Sequence, residues 1–404
     1  FSAMKDDYLL IDIEVDEIDG QERVGAVWQW NSDNRGWAEW RNLTHDQFSA
    51  KWSEYADAGY RLIDQEAYLL NGSRYYAGIW IENKEGYGWA SFRNLTTEQF
   101  SEKFNEYKND YIIIDVEAYP TGDGLRYAMV WVRNAANLDW VEWRNLTSEQ
   151  FAEKFDQYQA DYRVWDIESY QANGVQYYAG IWIENSNGRG WAEYRDMSAT
   201  GFRNRWYRLR DLGYRLVDYE IYPSASGYRY AGVWRQNSER PNWSLKDAVD
   251  ARVQTELDTF GVPGIGVAIA QSGEIKYMRG FGFQDADAGV WYSARTINRL
   301  ASVAKAVTGV LAVKLQSDGE ITDLDNATST LVGALPGHHT HTLRQLLANR
   351  GGVGHYADHG TPNGSYNSAL EASQAFWNDA LPYAPGTNCI YSTHGYTIVG
   401  AALE

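Results

Sequence analysis

"YRLIDQEAYLLNGSRYYAGIWIENKEGYGWASFRNLTTEQFSEKFNEY", residues 60–107, decides how the first half of the chain folds. Its opening segment recurs as "YLLIDIEVD", "YIIIDVEAY", "YRVWDIESY" and "YRLVDYEIY", with the aspartates at 12, 64, 115, 166 and 218, at intervals of 52, 51, 51 and 52 residues. Self-similarity at such a period marks a repeat architecture. Within one copy, apolar and aromatic residues alternate on either side of "NG", which predicts two strands joined by a tight hairpin. "WASFR" follows without an assigned element. Thr44, Thr96, Thr147 and Ser198 then read as helix N-caps, with Gln99 and Gln150 completing Thr-x-x-Gln capping boxes. Phe100, Phe104 and Tyr107 recur at helical spacing. Each copy is therefore a ββα unit unable to bury its own apolar face. Four stacked units, closed by a fifth hairpin ending near Trp243, are expected.

Asp-x-Glu stands in the first strand of every copy, and on a strand both carboxyls project to one face. Ten carboxylates are open to a metal-binding or catalytic reading. A structural one is preferred, in which each pairs with a repeat arginine (Arg41, Arg93, Arg144, Arg195) or caps a backbone group. The tryptophans divide similarly: pairs such as Trp37 and Trp40 are expected in the core, with a sugar-stacking platform as the alternative.

The chain has 404 residues, a formal net charge of −18 and a single cysteine, Cys389. Such acidity argues against a nucleic-acid partner. One thiol permits no internal disulfide and leaves any partner of Cys389 unassigned. No apolar run is long enough to span a membrane. Asn-x-Ser/Thr occurs at Asn42, Asn71, Asn94, Asn145, Asn242, Asn326 and Asn363, and secretion with N-glycans at Asn42, Asn94, Asn145, Asn326 and Asn363 is expected.

The sequence changes character near residue 244, so the domains are expected at 1–243 and 244–404. "SLKDAVDARVQTELDTFGVPG" predicts a helix capped by Ser244 and stopped at Gly261. "GIGVAIAQSGEIKYMRGFGFQD" predicts a hairpin turning at Ser272-Gly273. Then "RLASVAKAVTGVLAVKLQ" places Ser302 at the head of an apolar helix, with Lys305 one turn along the same face. Free N–H groups and the positive end of the helix dipole suit a nucleophile that must take up negative charge. The plain alternatives are an N-cap serine and a solvated lysine. A second Ser-x-x-Lys, Ser2 to Lys5, precedes a strand and is set aside. His338, His339, His341, His355, His359 and His394 form a loose group without metal-site spacing, so neither metal nor cofactor is expected.

Four stretches in order, "GVPGIGVAIAQSGEIKYMRGFGFQD", "LASVAKAVTGVLAVKLQSDGEITDLD", "HTLRQLLANRGGVGHY" and "YAPGTNCIYSTHGYTIVGAALE", make residues 244–404 resemble the serine β-lactamase and penicillin-binding-protein superfamily, particularly its class C-like branch. The fold class is then α+β: ββα repeats followed by a partial β-lactamase-like domain. The resemblance implies Ser302 as nucleophile, Lys305 as its general-base partner and Tyr391 as the second-motif tyrosine. Thr393 stands where that motif has asparagine, implying a substrate-binding position altered away from antibiotic hydrolysis. A third motif, Lys/His-Thr/Ser-Gly on an edge strand, is expected after Tyr391 but not met before "VGAALE", so a truncated or nicked chain is expected. Together with the tryptophan-rich repeats, the chain resembles the fungal polyglycine hydrolases. That family implies a secreted serine endopeptidase acting on the glycine-rich linker of plant class IV chitinases. An esterase or D-aminopeptidase using the same residues, or a binding protein with an inactive hydrolase domain, are the alternatives.

Overall fold

The computed structural model describes residues 4–18, 20–224, 227–238, 243–355 and 365–404, and these form two compact units, Phe1–Thr296 and Ile297–Glu404. Ser2, Asn242, His359 and Asn363 lie outside the described residues.

The first unit opens with a hairpin, β1 (Tyr8–Ile18) and β2 (Gln21–Trp30). Four copies of strand, helix and hairpin follow: β3 (Trp37–Leu43), α1 (His45–Asp57), β4 (Tyr60–Leu70) and β5 (Ser73–Glu82); β6 (Trp89–Leu95), α2 (Thr97–Tyr107), β7 (Tyr111–Thr121) and β8 (Gly124–Arg133); β9 (Trp140–Leu146), α3 (Ser148–Tyr158), β10 (Tyr162–Ala172) and β11 (Val175–Glu184); β12 (Trp191–Met197), α4 (Ala199–Asp211), β13 (Tyr214–Ser224) and β14 (Gly227–Gln236). Each copy is a three-stranded antiparallel sheet with the return strand of the hairpin in the middle, as in β3-β5-β4. The hairpins turn at Asn71-Gly72 and Asn173-Gly174 with the positive φ values the tight turn requires. All four helices carry the expected cap, and Thr44 also forms a capping box, with Gln47.

Two expectations are corrected. The tryptophan-arginine segments, unassigned in sequence, are third strands, held by partners some forty residues on such as Trp37 opposite Ile81. The hairpin left over is the first, not the last: β13–β14 completes the fourth sheet, while β1–β2 pairs alone. The inner strands β1, β4, β7, β10 and β13 then pack neighbour to neighbour, and β13 returns to β1, closing a ring. At the closure the Tyr219 hydroxyl occupies the space a β-carbon on Gly25 would fill.

Trp80, Trp131, Trp182 and Trp234 are buried to completion, each under its helix, with Phe48 and Phe151 tilted onto two of the indoles. Trp40 and Trp143 are not core, as expected for such pairs, but about 40% exposed. Lys51 and Lys154 lie over their rings at 3.9 and 3.7 Å, covering the faces a sugar would need.

The carboxylates are buried or partly buried, and of the two structural roles expected for them it is the capping of backbone groups, not the arginine pairing, that the structure shows. Arg41, Arg144 and Arg195 pair instead with Glu39, Glu142 and Glu193, and Arg93 lies over the Phe48 ring. The inner strand is an edge of its own sheet and carries unpaired N–H groups. The next copy supplies their acceptors: Asp166 accepts from Val116 N–H at 3.2 Å, Glu168 from Ala118 at 3.1 Å, Asp218 from Ile167 at 3.0 Å and Glu220 from Ser169 at 3.0 Å. A bulge sits immediately before each aspartate, as between Leu62 and Asp64, and the Asp-x-Glu pair runs regularly after it.

"RNLT" also has a structural use. Asn42, Asn94 and Asn145 adopt φ near +57° and donate their N–H to Tyr68, Tyr119 and Tyr170. Asp196 fills the same position in the fourth copy and accepts from Tyr178 and Tyr222.

The segment after 244 begins with α5 (Lys246–Phe260), which has no side-chain cap: Ser244 lies before the helix and Leu245 takes the N-cap position. Then come β15 (Gly264–Gln271), β16 (Glu274–Asp285) and β17 (Val290–Trp291). Though the sequence changes at 244, compactness changes at 296, because Asp211 at the end of α4 accepts from Gly280 and Ala294 N–H at 3.0 and 2.8 Å.

The second unit contains α6 (Ala304–Ser317), α7 (Leu343–Leu347), α8 (Ala369–Ser373) and α9 (Thr393–Leu403). Ala312, Leu343, Leu346, Phe376, Ile398 and Val399 form its core. Val307, Val310 and Val313 on the other flank of α6 are exposed.

Candidate active site

Ser302 lies in a single 3-10 turn, Ala301–Val303, that runs into α6. Ala301 holds φ +45°, a left-handed conformation costing an alanine about 1–2 kcal/mol, so the turn before Ser302 is strained. Lys305, in the first turn of α6, donates from Nζ to Ser302 Oγ at 3.3 Å and to Thr393 Oγ1 at 3.2 Å.

Tyr391 arrives from 89 residues away, and its hydroxyl is hydrogen-bonded to Ser302 Oγ at 2.5 Å. The turn carrying it is clamped on both sides. Ile390 N–H donates to the Asn349 carbonyl and Ser392 N–H to Asn349 Oδ1. Ser392 caps α9, accepting from Gly395 N–H at 2.8 Å, and donates to the Gly354 carbonyl. Thr393 turns its hydroxyl to Lys305 and donates its N–H to His355 Nδ1 at 3.2 Å. The His355 ring stands edge-on to Tyr391, 5.5 Å between centroids.

The structure thus brings Ser302, Lys305, Tyr391 and Thr393 together. Asn349 and His355 were missed as parts of this cluster: "ANRGGVGHY" was read only as part of the resemblance, and their partners lie about forty residues on. The hydrogen bond from Lys305, then that with Ser302, holds the Tyr391 phenol below the usual tyrosine value. Tyr391 is half-exposed, so substrate has direct access.

Among the described residues, His339, His341 and His394 are buried in packing. His339 bonds His341 at 2.9 Å and the Trp377 carbonyl at 2.6 Å, and His394 stacks on Phe376 at 3.9 Å. Burial lowers His341 to about 4, keeping it neutral. Among the described residues no group of three or more His, Cys, Asp or Glu could hold a metal ion, and no helix is long and apolar enough to cross a membrane.

A serine, lysine and tyrosine joined at a helix start define a domain of the serine β-lactamase type, a serine hydrolase-type superfamily. Residues 249–404 match the β-lactamase family, and residues 34–83, 86–134, 137–185 and 188–237 match the polyglycine hydrolase-like structural repeat. The chain therefore carries a β-lactamase-like hydrolase domain behind polyglycine hydrolase-like repeats, the architecture its resemblance to the polyglycine hydrolases implied. The repeat boundaries follow the strand, helix, hairpin phase of the four sheets.

Among curated proteins, the chain is similar to protein flp of Staphylococcus aureus (strain COL), 27% identical over 162 residues, covering 39% of this chain and 32% of that protein. It is also similar to the mouse mitochondrial serine β-lactamase-like protein LACTB, 23% identical over 224 residues, covering 36% and 40%. The chain spans a third to two-fifths of the length of these relatives. Similar solved structures include FmtA from Staphylococcus aureus (TM-score 0.34, 19% identity, 42% of this chain and 46% of that one) and the octameric penicillin-binding protein homologue from Pyrococcus abyssi (0.33, 22%, 40% and 39%).

Proposed function

We propose that the protein is a secreted serine endopeptidase that cuts glycine-glycine bonds in polyglycine linkers, as in plant class IV chitinases, through an acyl-enzyme on Ser302. The observation that carries this reading is the meeting of the Tyr391 hydroxyl and the Lys305 ammonium on one oxygen, Ser302 Oγ, at 2.5 and 3.3 Å. In the proposed reaction Ser302 Oγ attacks a glycyl carbonyl carbon while its proton passes to the Tyr391 oxygen, whose phenolate form the Lys305 ammonium favours. The Ser302 N–H stabilises the oxyanion, with a second donor from the third-motif strand that the resemblance implies. The C–N bond then breaks as Tyr391 returns the proton to the leaving amine, and water, deprotonated by Tyr391, releases the acid. Thr393 Oγ1 accepts one hydrogen bond from Lys305 Nζ and fixes the ammonium. Glycine offers no side chain for a pocket, which fits a half-exposed site reading extended backbone. The sequons support passage through a secretory route, with glycans at Asn42, Asn94, Asn145, Asn326 and Asn363.

Mass spectrometry of the products from a glycine-linker protein tests this. Wild type should give cuts between glycines, and Ser302→Ala none. Equal cleavage by Ser302→Ala would remove the nucleophile. Hydrolysis of small esters with the linker left intact would favour the esterase reading.

A further inference from the structure

In the first unit each of the helices α1, α2 and α3 lies against the third strand of the following copy, and the three junctions share one plan. A helix aromatic meets the first tryptophan of that strand: Trp52 with Trp89, Phe104 with Trp140 and Phe155 with Trp191, at 5.0, 5.6 and 5.3 Å between ring centroids. The repeat arginine of the strand lies over the first phenylalanine of the helix: Arg93 over Phe48, Arg144 over Phe100 and Arg195 over Phe151. At the first two junctions a helix serine accepts from that arginine. Arg93 donates to Ser49 at 2.9 Å, and Arg144 to Ser101 at 3.5 Å and to Glu142 at 2.9 Å.

The third junction departs from the plan. Ala152 stands where the others have Ser49 and Ser101. Arg195 Nη1 is 3.7 Å from Glu193 Oε2, an ion pair too long for a hydrogen bond. Among the described residues, Nε and Nη1 of Arg195 and Oε1 of Glu193 have no hydrogen-bond partner, although these side chains are only 11% and 5% exposed. Beside them a groove of about 390 Å3 opens between α3 and β12, lined by Ala152, Phe155, Trp191, Glu193 and Arg195. Tyr194 also lines it but carries Arg205 over its ring at 3.9 Å, which leaves Phe155 and Trp191 as the apolar wall. Asp156 lines it too, accepting from Gln159 at 2.9 Å.

Buried donors and acceptors are costly to leave unpaired, and a ligand that meets both kinds satisfies them together. The charges restrict what that ligand is. An anion meets Glu193 and Asp156, and a cation meets Arg195, so a neutral molecule is favoured. Burial pushes Glu193 up to about 7 against the pull of Arg195, which lets its carboxyl accept or donate. An aromatic wall with a few fixed polar groups suits a ligand that has one apolar face and polar edges. Adjacent hydroxyls of a sugar ring each donate and accept, and its C–H face is apolar. A glycine peptide has the donors and acceptors but no such face.

We propose that the groove between α3 and β12 binds a neutral sugar residue of a glycan, with Glu193 and Arg195 on adjacent hydroxyls and Phe155 and Trp191 against the ring face. The site shares no residue with the Ser302 cluster and is independent of the reaction assigned there.

Isothermal titration of the full chain tests it, with cellopentaose, xylopentaose and mannopentaose as probes and pentaglycine as the peptide comparison. Saturable binding of at least one saccharide is expected. It should weaken about tenfold or more in Ala152→Phe, whose ring fills the groove from an exposed helix position. It should weaken also in Ala152→Ser, which returns to Arg195 the acceptor present at the other junctions, and stay unchanged in Lys103→Gln on α2. Circular dichroism confirms that each variant is folded. No saturable binding of any saccharide, wild-type affinity in both Ala152 variants, or binding of pentaglycine alone overturns the proposal.

Discussion

Tyr391 is the residue on which the chemistry turns. Its phenol is held below the ordinary tyrosine value by Lys305 first and Ser302 second, so Ser302 should react faster as pH rises through a value under 10. Tyr391→Phe should slow labelling of Ser302 by a fluorophosphonate about 100-fold or more and abolish that rise, because a general-base contribution is typically 10²–10⁴-fold. A pH-rate profile of labelling checks both, and an unchanged limb in the phenylalanine variant would assign the titration elsewhere. Lys305→Met should shift the limb upward, since the cation that favours the phenolate is gone. Ser302 and Lys305 were legible because both lie on one helical turn. Tyr391 was legible only through ordered resemblance, its partner being 89 residues away. The stretch holding Asn349 and His355 was legible as part of the resemblance, but their role was not, since clamping a distant turn leaves no mark on the residues beside them.

At the scale of elements, the repeated Asp-x-Glu is a solution to an edge problem. Each inner strand exposes N–H groups that its own sheet does not pair, and carboxyl oxygens from the following copy accept from them. Glu168→Leu should therefore cost about 1–3 kcal/mol by leaving the Ala118 N–H buried and unpaired, whereas Glu168→Gln keeps an acceptor and should cost far less. Urea unfolding followed by tryptophan fluorescence distinguishes them, and equal losses would mean that the charge, not the acceptor, matters. Gly25→Val should disrupt the meeting of β1 and β13, because the Tyr219 hydroxyl already fills that space. The hairpins and helices were readable from alternation, "NG" turns and Thr-x-x-Gln boxes. The third strands were not, because "WASFR" is defined by pairing to a strand beyond the intervening helix. Nor was the destination of the arginines, which the sequence places beside carboxylates two residues away.

For the molecule as a whole, ten carboxyls facing one ring set how stability responds to pH. Burial first raises Glu66 to about 7 and Asp218 to about 8, and drives the other members upward as well. The folded state thus binds more protons than the unfolded chain, and stability falls as pH rises between about 4, the unfolded carboxyl value, and about 8. Melting temperature should decline from pH 5 to pH 8, and Asp115→Asn should flatten the slope. A melting temperature rising over that range would contradict a neutral acid ring. The closing of five copies into a ring was not legible, since period and phase say how many units exist and not whether the last meets the first. The hydrolytic character was legible in the second half of the chain, and it rests on one claim, that Ser302 is an activated nucleophile. Intact-mass and peptide-mapping measurement after exposure to a fluorophosphonate tests it most directly. One adduct per chain, located on Ser302 and absent from Ser302→Ala, is the predicted result. An unmodified wild-type chain, or an adduct that persists in Ser302→Ala, would contradict it.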